Sequence, residues 1–182
     1  MTTVDTLTAR NRNFAVSGRH AGQEMFPRLQ TIVIGCVDPR VDPAAVLGLE
    51  LGDALVIRNV GGRFTPDTFQ TLAALRTIAE AEGIAPGPEF NLIVLQHTDC
   101  GITRLAGQPV LAGILGVDPG DLAATAVGDP AAAVAADVAA IKANPFLPGA
   151  FLVSGLVYDV ATGLVDVVVP PARLRPAEDH EA

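Results

Sequence analysis

Residues 31–40 read TIVIGCVDPR, and residues 91–100 read NLIVLQHTDC. Each begins as an unbroken, largely β-branched apolar run. Where the apolar character stops, the first delivers Cys36, Asp38 and Arg40, and the second His97 and Cys100. Short continuous apolar runs of this kind are the strands of a parallel sheet whose two faces are both covered. A helical pattern lies between them, so strand, helix and strand imply a right-handed parallel crossover. Ligands in such sheets gather beyond the carboxyl ends of the strands, which is where both groups of polar residues stand.

Working outward, Asp42-Pro43 opens a brief helix to about Leu47, with Asp as N-cap and Pro in the first helical position. Residues 54–58 form the next strand. The turn NVGG at 59–62 follows, and its paired glycines permit backbone conformations closed to other residues or the close approach of another segment. A phosphate-cradling role is excluded, because no GxGxxG or P-loop pattern is present. Thr65-Pro66-Asp67 starts the clearest helix, which runs to about Glu82 and stops at Gly83. Its stripe of Phe69, Leu72, Leu75 and Ile78 reads as core, and Glu80 and Glu82 as solvated charges. Residues 107–128 are glycine-dotted and read as loop with short helical turns. Asp129-Pro130 caps a helix to about Lys142, with Val134, Val138 and Ile141 at helical spacing, and Asn144-Pro145 ends it. Residues 151–158 form a strand, and 164–169 must run antiparallel to it because the connection is too short for a crossover. The expected fold class is α/β: a mostly parallel central β-sheet flanked by helices, with an antiparallel C-terminal edge strand. One domain spans 1–182, with an N-terminal arm at 1–30 that covers a neighbour or the sheet and a loosely ordered tail at 170–182. His20, in the arm, reads as a solvated surface histidine.

A chain of 182 residues is long enough to bury a sizeable single core. Its net charge of −8 disfavours nucleic acid and anionic membrane as partners, since both select a cationic surface. No stretch approaches the roughly 20 apolar residues of a membrane span, and the opening MTTVDTLTARNRNF has no apolar signal-peptide core. The expectation is a cytoplasmic protein acting on a small molecule.

Two cysteines and a histidine make a soft ligand set suited to zinc, and three protein ligands leave a fourth position for a carboxylate or a water. That is the catalytic rather than the closed structural type of site. His97-x-x-Cys100 brings two ligands from one turn, while Cys36 arrives from a separate strand. Cys100, just before a helix start, is expected to have its thiolate favoured by the helix dipole. Asp38 lies two residues beyond Cys36, on the same side of an extended chain, and Arg40 two further can hold its carboxylate in a bidentate pair. Asp38 therefore has two competing partners, the metal and Arg40. When Arg40 holds it, a metal-bound water can have its pKa lowered to about 7.

At these residues the chain resembles the β-class carbonic anhydrases of the small bacterial type. The resemblance rests on Cys36-Val-Asp38-Pro-Arg40, on VIRNVGG at 56–62 and on His97-Thr-Asp-Cys100-Gly101, with weaker similarity through VYDVATG, and covers about residues 31–169. It implies one Zn2+ per chain on Cys36, His97 and Cys100, with Asp38 as the further candidate ligand and Asp38 and Arg40 as a gating dyad. It also implies reversible hydration of carbon dioxide to bicarbonate and a proton by zinc-bound hydroxide, which Asp38 orients, in a homodimer or homotetramer with clefts at the subunit interface. Plant-like members carry serines where this chain has Val37 and Pro39, and an upstream glutamine whose place is taken by residues near Pro27. An inhibitory bicarbonate site built with tryptophan does not transfer to Arg58, because this chain has no Trp. The same branch contains carbonyl sulfide hydrolases with the same zinc motif, so a second reading is hydrolysis of carbonyl sulfide or carbon disulfide on the same site. A third reading, a noncatalytic zinc-binding protein, has no use for a carboxylate held by an arginine. Neither His20 nor His180 is assigned as a proton shuttle.

Overall fold

Strand β1 (Thr31–Cys36) is buried along its whole length, as a continuously apolar run requires. It is joined by β2 (Ala54–Asn59), β3 (Asn91–His97), β4 (Leu152–Tyr158) and β5 (Val165–Arg173) in one sheet of order β2-β1-β3-β4-β5. The computed structural model describes residues 1–84, 87 and 89–175. The first four strands pair in parallel and β5 runs antiparallel to β4, as the sequence predicts. β1 and β3 are neighbours with Gly35 opposite Leu95, which puts Cys36 and His97 at adjoining strand ends.

The helices start where their caps stand. Asp42 accepts from the backbone N–H of Ala44 to begin α2 (Pro43–Leu47), Thr65 from that of Thr68 to begin α3 (Pro66–Ala81), and Asp129 from that of Ala131 to begin the helix at Pro130–Ala143. The glycine-dotted stretch resolves into a helix at Pro109–Leu115 and a 3-10 turn at Pro119–Thr125. In chain order these two helices are α4 (Pro109–Leu115) and α5 (Pro130–Ala143). The main core lies between the sheet and α5, where Val134, Val138 and Ile141 meet Leu92, Val94 and Val153. A second cluster beyond the ends of β1 and β3 gathers Cys36, Val41, Cys100, Ile102, Leu111 and Leu115. Beside the core, Arg63 and Asp137 form a buried bidentate pair, and Gln96 also donates to Asp137. Burial pushes the Asp137 carboxyl up, against the pull of Arg63.

Three features depart from the sequence reading. The α3 stripe is only partly core: Leu72 is buried, Phe69 and Leu75 are half-buried and Ile78 is 48% exposed. With Phe26, Leu55 and Phe146, the end of α3 walls an open apolar groove of about 890 Å³ among the described residues. The arm contains a helix, α1 (Thr3–Val16), started by a capping box between Thr2 and Asp5, and none of its residues is buried. Finally, the chain from Pro170 to Arg173 belongs to β5 rather than to a loose tail. Prolines are tolerated there because β5 is an edge strand, and the register shifts between Val153 and Gly155 so that Pro170 and Pro171 fall at a bulge. Residues 176–182, including His180, lie outside the described residues. No single helix among the described residues is long and apolar enough to cross a membrane.

Candidate metal centre

Two strand ends and one turn assemble the site. Cys36 closes β1, His97 closes β3, and Cys100 begins a 3-10 turn at Gly101–Leu105. All three are buried, and their ligand atoms lie within 4.8 Å of one another. The Cys36 and Cys100 sulfurs are 3.8 Å apart. Packing around them depends on Gly62, at φ +63°, where a Cβ would stand 2.9 Å from both the Cys36 nitrogen and the Leu95 oxygen. The paired glycines therefore serve both uses read from the sequence, since Gly61 is also left-handed and packs closely on Ile102.

His97 Nδ1 lies 2.9 Å from the Thr98 carbonyl oxygen. A carbonyl only accepts, so Nδ1 carries the proton and donates, and Nε2 is left with its lone pair toward the sulfurs. That Nε2 is buried without a hydrogen-bond partner. Thr98 is itself braced by the hairpin after β4: its backbone N–H donates to the Tyr158 carbonyl, and its hydroxyl accepts from Val160 and meets Asp159.

The two thiols divide. The contact with Cys100 holds the Cys36 thiol down to about 4 against burial, with help from the backbone N–H groups of Asp38 and Gly61. The same contact and burial push Cys100 up. The dipole expectation for Cys100 thus gives way, because a five-residue 3-10 turn competes with a direct sulfur contact. Burial pulls the His97 imidazole down, yet the neighbouring Cys36 sulfur, the Thr98 carbonyl and the Asp38 charge together leave it raised. A buried cluster with one thiolate, a second thiol and an orphaned imidazole lone pair suits a soft cation, which displaces protons as it binds. The donor set fits zinc.

Asp38 is held away from the three ligand atoms. Its Oδ1 accepts from the Arg40 backbone N–H at 2.9 Å and from Nε at 3.1 Å, and its Oδ2 accepts from Nη2 at 2.8 Å. The Arg40 side chain and backbone bonds lower the Asp38 carboxyl to about 2. Sequence reasoning missed two neighbours. Arg58 donates to the carbonyls of Cys36 and Asp38 and to the Asp42 carboxylate, so it fixes the loop that carries the dyad. Its one mark in the sequence was its place in VIRNVGG at 56–62, which names no partner. Asp99, which also binds Arg40, has no signal beyond lying inside the second motif.

Comparison with known proteins identifies the family of the chain. The carbonic anhydrase family profile matches residues 31–115. The chain is 31% identical over 173 residues to β-carbonic anhydrase 1 of Mycobacterium tuberculosis, covering 93% of this chain and 100% of the relative. The crystal structure of carbonic anhydrase from Streptococcus mutans superposes with a TM-score of 0.69 at 31% identity, over 92% of this chain and 98% of that one. A carbon disulfide hydrolase of Acidianus is 32% identical over 78 residues, 43% of this chain and 34% of that protein. Taken with the shared fold, full-length similarity at this level means that the chain belongs to the β-carbonic anhydrase family of enzymes.

Proposed function

We propose that the protein catalyses reversible hydration of carbon dioxide at a zinc ion held by Cys36, His97 and Cys100, with Asp38 and Arg40 controlling the fourth position. The observation that carries this reading is the convergence of two sulfurs and an unpartnered imidazole nitrogen beside a carboxylate already engaged by an arginine. Zinc bound there would supply a Lewis acid and a more acidic water. The rest falls to the chain. Water oxygen adds to the carbon of carbon dioxide, one proton leaves to solvent, and bicarbonate is the product. Asp38, ionised at neutral pH, only accepts hydrogen bonds, so it orients an attacking group that still carries a proton. Arg40 keeps that carboxylate from taking the open position itself. Val41, Ile102 and Leu111 pack with the two cysteines, so the surroundings of the site are apolar.

A second reading, hydrolysis of carbonyl sulfide or carbon disulfide on the same residues, draws support from the similarity to the Acidianus hydrolase. Stopped-flow carbon dioxide hydration on zinc-replete protein, beside Cys36→Ala and a sulfide-release assay, separates the two. Fast hydration lost in Cys36→Ala supports the anhydrase. Sulfide release without hydration moves the protein to the hydrolase reading, and silence in both with zinc bound leaves a noncatalytic zinc-binding protein. We further propose a homodimer or homotetramer, on the ground that α1 buries nothing within its own chain, and a cytoplasmic setting, where free thiols such as these stay reduced.

A further inference from the structure

Arg40 does not belong to Asp38 alone. Its Nη1 donates to Asp99 Oδ2 at 2.8 Å, and its Nη2 donates to the Asp99 backbone carbonyl at 3.0 Å as well as to Asp38. With Nε also on Asp38, four of the guanidinium's hydrogen bonds are divided evenly between one residue from each metal-ligand loop. Turning the guanidinium away from Asp38 therefore also breaks its bonds to Asp99.

The backbone supports this. Asp99 has φ +53°, in the left-handed region that residues other than glycine rarely occupy and that Asp and Asn tolerate best. This conformation occurs between two ligands, His97 and Cys100, and accompanies the placing of both the carbonyl and the carboxylate of Asp99 on Arg40. An isolated ion pair with side chains 48% and 70% exposed would have little effect. Here the carboxylate is reinforced by the carbonyl of the same residue, and the planar fork fixes the orientation of both.

We propose that Asp99 is a positioning residue for the Asp38–Arg40 pair: it locks the guanidinium with its Nε–Nη2 edge toward Asp38 and so limits release of the Asp38 carboxylate to the metal. The second half of this statement rests on the metal-centre reading given above. Without the Asp99 carboxylate, Arg40 is tethered on that side by a carbonyl alone, its fork samples other orientations, and Asp38 spends more time on the cation.

The test compares Asp99→Gly and Asp99→Asn with the parent. Gly removes the carboxylate and relaxes the turn, so the variant should fold; Asn keeps the turn and an acceptor but loses the charge. In metal-free protein, NMR exchange of the Arg40 Nε–H should quicken about tenfold in Asp99→Gly, the loss of one charge-assisted hydrogen bond, and less in Asp99→Asn. In cobalt-loaded protein, the visible spectrum of Asp99→Gly should move away from that of Asp38→Ala, in which the carboxylate cannot reach the metal. A role confined to backbone structure would move neither readout in Asp99→Asn. Unchanged exchange and superimposable cobalt spectra would overturn the proposal while leaving the metal centre intact. Failure of cobalt to bind the parent would instead overturn the metal-centre reading and the release step with it; the exchange measurement alone would then decide whether Asp99 positions Arg40.

Discussion

At the scale of single residues, the Asp38–Arg40 pair decides the most. Arg40 lowers the Asp38 carboxyl from an ordinary 3.8 to about 2, chiefly through its side chain, so in metal-free Arg40→Ala a carboxyl-shift NMR titration should find it raised but still below its ordinary value, because the backbone N–H at position 40 still donates. The sign for stability follows. A depressed carboxylate contributes above about pH 4 and loses that contribution as the pH falls towards 2, so acid unfolding of Arg40→Ala should be less steep by the share of the Asp38 contribution that the guanidinium supplies. Asp38→Asn keeps the shape but loses the charge; zinc should remain at one ion per chain by metal analysis while hydration turnover drops about 10²-fold. These residues were legible in the sequence because each stands where an apolar run ends, two positions apart in one motif and three in the other. Which thiol ionises was not legible. That depends on the contact between the Cys36 and Cys100 sulfurs, which joins residues far apart in the chain.

At the scale of elements, the paired strands set the site and the tight turn at Val60–Gly62 holds it closed. Gly62→Ala would put a Cβ into backbone atoms on two sides at a left-handed φ, and neither the Cys36 nitrogen nor the Leu95 oxygen can yield without moving a strand. Equilibrium unfolding in urea should show a loss of at least about 1–3 kcal/mol. Strands and capped helices were readable because each has a local cause: a β-branched run, an Asp-Pro or Thr-Pro start, a glycine stop. The course of β5 was not, since two prolines argue against a strand unless it is already known to lie at an edge with a bulge opposite Ser154. Arg58 was equally hidden. Its three bonds are to backbone and to a helix cap, and only the strand register brings them within reach.

At the scale of the whole molecule, the ligands come from β1, β3 and the turn after it, so a bound cation ties distant parts of the chain together. Zinc in excess of its dissociation constant by about a thousandfold stabilises by about 4 kcal/mol, and chelation should therefore lower the melting temperature by about 10 °C in calorimetry. α1 makes the opposite case. Deleting residues 1–16 removes no buried residue, so the circular dichroism of the sheet and α5 should persist. On the proposed assembly, sedimentation velocity should show smaller particles. The arm was visible in sequence only as scattered apolar positions, because a helix without a buried face leaves no periodic stripe.

The bulged prolines of β5 have one more consequence. A backbone nitrogen without hydrogen cannot accept an incoming strand, so Pro170 and Pro171 blunt that margin of the sheet against growth by strand addition. The opposite margin, β2, carries no proline and exposes Val56. Of the two margins, β2 is thus the one whose whole length is free of proline, and the barrier to strand addition is built into the far end of β5 alone.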